Sequence, residues 1–227
     1  MPNTYLAALV DLFYPEICVG CERRSSDALC RTCFEALPYV GSPVCGRCGL
    51  PTAFATSVCE RCKYVDFGFE SAKAPLKYEG VGKKIVHALK YRGHKRVVEK
   101  LATPLMIQAI GDGPVDAVVP VPLHRSRLRR RGFNQAELLA RGVAERITAT
   151  VSDTLEVVRT TGDQVELSAA QRRANVADAY RAKKPLRGRI LLVDDVFTTG
   201  ATMSACAGAL VNAGAAEVHA LSLCRTC

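Results

Sequence analysis

The chain's 227 residues suffice for one α/β domain of ordinary size with a small appendage, and an apolar share of 48% allows a buried core and excludes general disorder. Trp is absent and aromatic residues reach only 6%, which speaks against a protein built from base-stacking platforms. The net charge of +9 is uneven: residues 1–70 hold six Lys/Arg against eight Asp/Glu and the rest holds 25 against 14, so an anionic partner is expected on the body of the chain.

At the N-terminus, MPNTYLAALVDLFYPEIC has no basic leader and Asp11 interrupts its apolar run, so a secretory signal is not expected. No stretch approaches the roughly 18 consecutive apolar residues of a membrane span. The expected setting is the cytoplasm, where disulfides are rare. The 11 cysteines therefore need another role. The first eight form four C-x2-C pairs: Cys18/Cys21, Cys30/Cys33, Cys45/Cys48 and Cys59/Cys62. A two-residue spacer lets both sulfurs of a tight turn face one ion, and two such knuckles complete the four-thiolate shell that zinc accepts. Sequential pairing groups Cys18, Cys21, Cys30 and Cys33 apart from Cys45, Cys48, Cys59 and Cys62, while spacing also permits crossed pairing. Either way two structural zinc ions are expected, with no open position for catalysis. Residues 1–70 are read as this cysteine-rich segment, folded largely by its metal. Cys206 is expected in a helix, and the terminal Cys224 and Cys227 are read as plain, partly exposed thiols.

Residues 71–227 are read as the second domain. Helices are expected over 80–89 and 97–110, their apolar face supplied by Ile85, Leu89, Val98, Leu101 and Leu105. A β-branched strand over 115–121 stops at its prolines. A helix over 134–147 starts at Asn134 as N-cap, with Glu137 three residues on. A buried strand over 189–193, a helix over 202–213 closed by Gly214, and a strand over 218–223 complete the order. Strand–helix alternation implies an α/β fold with a parallel sheet flanked by helices, whose ligands collect at the carboxyl ends of the strands.

LLVDDVFTTGAT, residues 191–202, lies at that end. Backbone N–H groups and threonine hydroxyls from Thr198 to Thr202 make a phosphate pocket aided by the following helix dipole, and Gly200 permits close backbone approach. The P-loop lysine and its spacing are absent, which excludes a nucleotide-triphosphatase cradle. Asp194 and Asp195, just before the pocket, can each accept hydrogen bonds from a vicinal diol, directly or through Mg²⁺. The ligand this suggests is a ribose 5-phosphate with free 2- and 3-hydroxyls.

An apolar strand followed by two acidic residues and TTGAT resembles the phosphoribosyl pyrophosphate (PRPP) motif of type I phosphoribosyltransferases. Four C-x2-C knuckles, LKYRG at 89–93, VPVPLH at 119–124, RGFNQAELLAR at 131–141 and LSAAQRRANV at 167–176 resemble, in that order, the ComF family of competence proteins. The resemblance implies a phosphoribosyltransferase fold behind a double zinc ribbon, with PRPP and Mg²⁺ as ligands. It assigns Asp194 and Asp195 to the ribose hydroxyls and Thr198, Thr199, Gly200, Ala201 and Thr202 to the 5-phosphate. Pro120, Val121, Pro122, Leu123 and His124 match the pyrophosphate loop, with Lys90 and Arg125 as further charges on it. Arg172, Arg173 and Asn175 match the loop over the site. Some relatives that act on purines place a general-base aspartate where this chain has Thr198, so the acceptor stays unnamed.

Five arginines fall between 125 and 131. Arg127, Arg129, Arg130 and Arg131 can be read as contacts to a nucleic-acid backbone, or as a solvated helix end that steers anionic PRPP. Resemblance to a competence family favours single-stranded DNA, handled in the cytosol after import beside proteins of the uptake machinery. Two functions follow: a phosphoribosyltransferase, or a non-catalytic PRPP-responsive DNA-binding factor. His87 and His124 have no partner at metal-ligand spacing and are read as packing or pocket residues.

Overall fold

A nine-residue strand dominates the molecule. RILLVDDVF is apolar at every position before its aspartates except the first, as a strand covered on both faces must be. A computed structural model describes residues 16–92, 95–111, 113–159 and 179–227. In chain order its strands are β1 (Ser71–Lys73), β2 (Leu76–Lys77), β3 (Ala117–Pro120), β4 (Thr150–Val151), β5 (Leu155–Val157), β6 (Tyr180–Ala182), β7 (Arg189–Phe197) and β8 (Glu217–Arg225). The helices are α1 (Arg31–Glu35), α2 (Glu60–Lys63), α3 (Gly80–Arg92), α4 (Lys95–Val97), α5 (Thr103–Ala109), α6 (Arg125–Arg131), α7 (Gln135–Ile147) and α8 (Ala201–Asn212).

The main sheet runs β1-β8-β7-β3-β4, entirely parallel, and β2 extends the pairing along β8. Pro120 lies opposite Val193, and Val193 opposite Leu221, so β3 ends level with Val193 while β7 and β8 run on together to Phe197 and Arg225. β5 and β6 form a separate antiparallel hairpin. The expected parallel sheet flanked by helices is therefore present.

Two apolar clusters cover the two faces. Leu191, Val193 and Leu221 pack with Ile85 and Leu89 of α3, Leu105 and Met106 around α5, and Leu139 and Val143 of α7. Ile190, Leu192 and Val218 pack on the other face with Met203, Ala207 and Leu210 of α8. The cysteine-rich segment feeds both. Cys18, Leu29, Cys33 and Leu37 join the first cluster, whereas Cys45, Cys48, Cys59, Phe67 and Phe69 join the second.

Several boundaries differ from expectation for identifiable reasons. The helix expected over 97–110 contains a π-helical turn, Val98–Ala102, just before Pro104, whose missing N–H and ring are accommodated where α5 begins. β7 continues through both aspartates to Phe197, because Asp194 and Val196 still pair with Ser222 and Cys224 of β8. β8 correspondingly runs to Arg225, and Cys224, expected to be partly exposed, is fully buried. Cys227 is exposed and Cys206 is buried in α8. No helix among the described residues is long and apolar enough to cross a membrane.

Candidate functional site

The two acidic residues sit at the sheet's carboxyl edge and diverge. Successive side chains of a strand point to opposite faces. Asp195, 4% exposed, brings Oδ2 to 3.2 Å from Nζ of Lys90 on α3. Asp194 lies towards α8, where its charge acts on buried Cys206. Its Oδ1 accepts the Asp195 N–H at 2.8 Å. Among the described residues no cation comes within ion-pairing distance of Asp194. Burial, reinforced by the neighbouring Asp195 charge, pushes the Asp194 carboxyl up to about 8. A half-buried carboxyl in that state gains from a hydrogen-bonding hydroxyl, or from a hard cation that favours its ionised form, whereas Asp195, turned to the other face, already has Lys90 beside it.

Thr198, Thr199 and Gly200 join β7 to α8. Gly200, the α8 N-cap, has φ +78°, and a Cβ there would meet Phe197 Cζ at 2.6 Å and Phe67 Cε1 at 2.8 Å. Only glycine combines that conformation with that contact. Thr199 Oγ1 accepts the Ala201 N–H at 3.4 Å, and Ser204 N–H donates to the Gly200 carbonyl at 2.8 Å. The amide ends of α8, with its dipole, face out of this turn, a ready anion site. Thr202, in the first turn, hydrogen-bonds Tyr180 of β6, whose phenol burial holds well above its usual range.

Pro120, Val121, Pro122, Leu123 and His124 form the neighbouring loop. The Val121 N–H donates to the Val193 carbonyl at 2.9 Å, and Asn134 Nδ2 donates to the Val121 carbonyl at 3.0 Å. Asn134 Oδ1 also caps α7 through the Ala136 N–H at 3.0 Å, as its sequence position predicts, while Glu137 pairs with Arg141 at 2.7 Å instead of completing a capping box. With Pro120, Pro122 and Leu123, Arg125 lines a cavity of about 520 Å³ whose lining adds Asp153, Glu156 and Lys183 and includes neither aspartate of β7 nor the Thr/Gly turn. The structure thus brings Lys90, the two aspartates, the Thr/Gly turn and the proline loop to one edge of the sheet.

The arginine run is a helix of its own, α6, which sequence reasoning did not resolve. His124 caps it by accepting the Ser126 N–H at 3.3 Å, and Gly132 ends it with φ +83°. Arg125, Arg127, Arg129 and Arg130 are exposed, whereas Arg131 donates to Gln135 and lies 5.9 Å from the Tyr91 ring centre. Tyr91 in turn packs at a tilt against His87, at 4.4 Å between centroids. Arg172, Arg173 and Asn175 lie outside the described residues.

The eight cysteines resolve into two groups in sequence order, Cys18, Cys21, Cys30, Cys33 and Cys45, Cys48, Cys59, Cys62, with ligand atoms in each within 4.8 Å of one another. Sγ–Sγ distances of 3.7 Å (Cys21–Cys30), 3.8 Å (Cys48–Cys59), 3.6 Å (Cys59–Cys62) and 3.9 Å (Cys45–Cys62) match the edge of about 3.8 Å that four Zn–S bonds of about 2.3 Å require. Burial opposes ionisation of Cys18, but N–H groups of Cys30, Cys21 and Gly20 outweigh it and bring the thiol down to about 6; Cys45 is brought to about 7 in the same way by Cys48, Cys59 and Arg47. Both donor sets fit structural zinc.

Comparison with known proteins agrees with this geometry. Residues 9–63 match the double zinc ribbon domain family, and residues 127–226 match the phosphoribosyl transferase domain family. The chain is 34% identical over 206 residues to the DNA utilization protein YhgH of Salmonella typhimurium, covering 87% of this chain and 90% of that protein. It is 27% identical over 229 residues to Competence protein F of Haemophilus influenzae, covering 94% and 98%, and 23% identical over 216 residues to Competence protein ComFC of Bacillus subtilis, covering 89% and 86%. A double zinc ribbon joined to a phosphoribosyltransferase domain, with relatives of these names along nearly its whole length, places the chain in the ComF family.

Proposed function

We propose that the protein binds PRPP with Mg²⁺ and transfers its phosphoribosyl group, acting in the cytoplasm on or beside single-stranded DNA taken up during natural transformation. The observation that carries the donor assignment is the junction of β7 with α8. There two adjacent carboxylates, suited to a diol, precede by a few residues a helix start suited to an anion.

In this reading Thr198, Thr199, Gly200, Ala201 and Thr202 hold the 5-phosphate, and Asp194 and Asp195 accept hydrogen bonds from the ribose hydroxyls. The 120–124 loop receives the pyrophosphate, with Arg125 at its edge. Lys90 orients Asp195 through their 3.2 Å contact. Mg²⁺ supplies charge neutralisation for the pyrophosphate when bound with the donor. The C1–oxygen bond breaks with its electron pair leaving on pyrophosphate, and an acceptor lone pair forms the new bond at C1. The protein's part is electrostatic: it positions the donor and stabilises the departing charge. Residues 1–70 serve as a zinc-folded ribbon and residues 71–227 as the transferase domain.

Calorimetry with PRPP and Mg²⁺ tests the reading. Binding is expected for the wild-type protein and lost when Asp194→Asn is combined with Asp195→Asn; undiminished binding by the double variant would overturn the assignment.

Thr198 favours a second reading, a PRPP-responsive factor with little catalysis, because the position aligned with some relatives' general base carries no carboxylate. PRPP-dependent pyrophosphate release in the presence of bases, amines and single-stranded DNA separates the two, its absence favouring the factor. The names of the relatives, DNA utilization protein and competence proteins, support the setting in DNA uptake and partners in the uptake machinery.

A further inference from the structure

The Arg61 side chain donates from Nη2 to the carbonyl of Thr199, across 138 residues of sequence. Arg61 stands between the metal-ligating positions Cys59 and Cys62, on the short helix α2. Thr199 is the centre of the turn assigned above to the 5-phosphate. Two further contacts join the same partners. Phe67 and Phe69, just beyond the cluster, stack at 4.8 Å, and both pack on Phe197, at 6.3 and 6.0 Å between centroids. The Gly68 N–H donates to Ser204 Oγ at 3.2 Å. The second cysteine cluster and its flank therefore grip the phosphate turn before it, at Phe197, within it, at Thr199, and after it, at Ser204.

From β8, buried Arg225 donates to the Cys48 carbonyl and lies 5.4 Å from the Phe197 ring centre. The cluster is thus fixed to the sheet independently of Arg61.

We infer that Arg61 is a positioning residue for the phosphate turn and that the second cysteine cluster is a working part of the donor pocket; the ligand involved rests on the PRPP reading above. A trans peptide holds its carbonyl and its N–H on opposite sides. Fixing the Thr199 carbonyl on the ribbon side therefore aims the Gly200 N–H away from the ribbon, into the turn where an anion would sit. Among the described residues, the turn's remaining ties are Gly200's steric fit, the 3.4 Å contact from Ala201 N–H, the 2.8 Å bond from Ser204 N–H and, at its start, the 2.9 Å bond from Thr226 N–H to the Phe197 carbonyl. Arg61 suits the task because the knuckle immobilises its backbone. Its guanidinium also lies 5.8 Å from the Phe67 ring centre, which restricts the side chain. Four thiolates around a divalent ion carry a net negative charge, which favours a guanidinium on the same turn. The first cluster makes no such contact among the described residues; its Gly20 carbonyl accepts from Lys84 on α3 instead, at 2.5 Å.

The test needs no ligand for its first arm. Amide hydrogen exchange of the peptide spanning residues 196–203 is compared in wild type, Arg61→Ala and Arg61→Lys, with zinc counted per chain in each. The expected result is at least about tenfold faster exchange in Arg61→Ala, two zinc ions retained, and partial recovery in Arg61→Lys. Unchanged exchange would overturn the inference, as would loss of zinc from Arg61→Ala, since the residue would then act on the knuckle and not on the turn. In the second arm, PRPP–Mg²⁺ affinity is expected to fall about 10- to 100-fold in Arg61→Ala, the scale of one charge-assisted hydrogen bond. A wild-type protein that does not bind PRPP would refute the donor reading, while the exchange arm would still decide the coupling.

Discussion

Replacing Asp194 with Asn removes a half-buried carboxyl whose proton affinity is raised by loss of solvent and by Asp195, to a pKa of about 8 from an ordinary 3.8. Because the folded-state value lies above the unfolded one, the carboxyl favours the folded state below pH 3.8, and that contribution is lost as pH rises through 8. Each unit of displacement corresponds to about 1.4 kcal/mol. Across pH 6 to 8 the ligand-free wild type should therefore lose up to about 2 kcal/mol that Asp194→Asn does not lose, and about 1 kcal/mol once the partial solvent access of Asp194 is allowed for. For a domain of this size that is roughly 2–4 °C in melting temperature. The assay is thermal unfolding of zinc-loaded wild type and Asp194→Asn at both pH values, without PRPP. Titrating groups remote from Asp194, the zinc-cluster cysteines included, are common to both proteins and cancel in the difference. The variant should gain stability relative to wild type as pH rises. A gap that does not change with pH would refute the reasoning, because it would mean Asp194 is already ionised at pH 6.

Gly200→Ala should cost about 2–5 kcal/mol in urea unfolding, combining a left-handed φ of +78° with a Cβ placed 2.6 Å from Phe197; a cost under about 1 kcal/mol would show that the turn relaxes freely. Lys90→Met should destabilise by about 2–4 kcal/mol, since it strips the cation from a carboxylate whose side chain is only 6% exposed, and adding Asp195→Asn should restore part of the loss. Neutralising Arg127, Arg129 and Arg130 to Gln should weaken single-stranded DNA binding and flatten its dependence on log salt by about 2, as expected for three lost phosphate contacts; an unchanged slope would mark α6 as a solvated face.

The chemistry of this chain is legible where it depends on residue type at short range. Four equal C-x2-C spacings announce metal knuckles, and in the folded protein the cysteines group in sequence order. Asn134 declares a helix start through its side chain and is found capping Ala136. The parallel sheet follows from the alternation of elements. What escaped depends on contacts between distant segments. The apolar period of 191–193 gives no sign that β7 continues through two aspartates, because what carries it on is pairing with β8 and the Phe67–Phe69–Phe197 stack. Cys224 reads as a terminal thiol until β8 places it in the core, where burial pushes it up to about 12. Lys90 reads as a charge beside the pyrophosphate loop, and its pairing with Asp195 has no local sign in the sequence. Arg61 carries no sequence signal for Thr199 at all, since only the folded ribbon brings them together.

The central claim is that the β7–α8 junction holds the phosphoribosyl donor. A crystal structure of the protein soaked with PRPP and Mg²⁺ tests it most directly. The 5-phosphate is expected on the backbone amides of residues 198–202, with the ribose 2- and 3-hydroxyls at Asp194 and Asp195 and the pyrophosphate along residues 120–124. Donor density elsewhere, such as on the exposed arginines of α6, with the β7–α8 turn empty, would contradict the account.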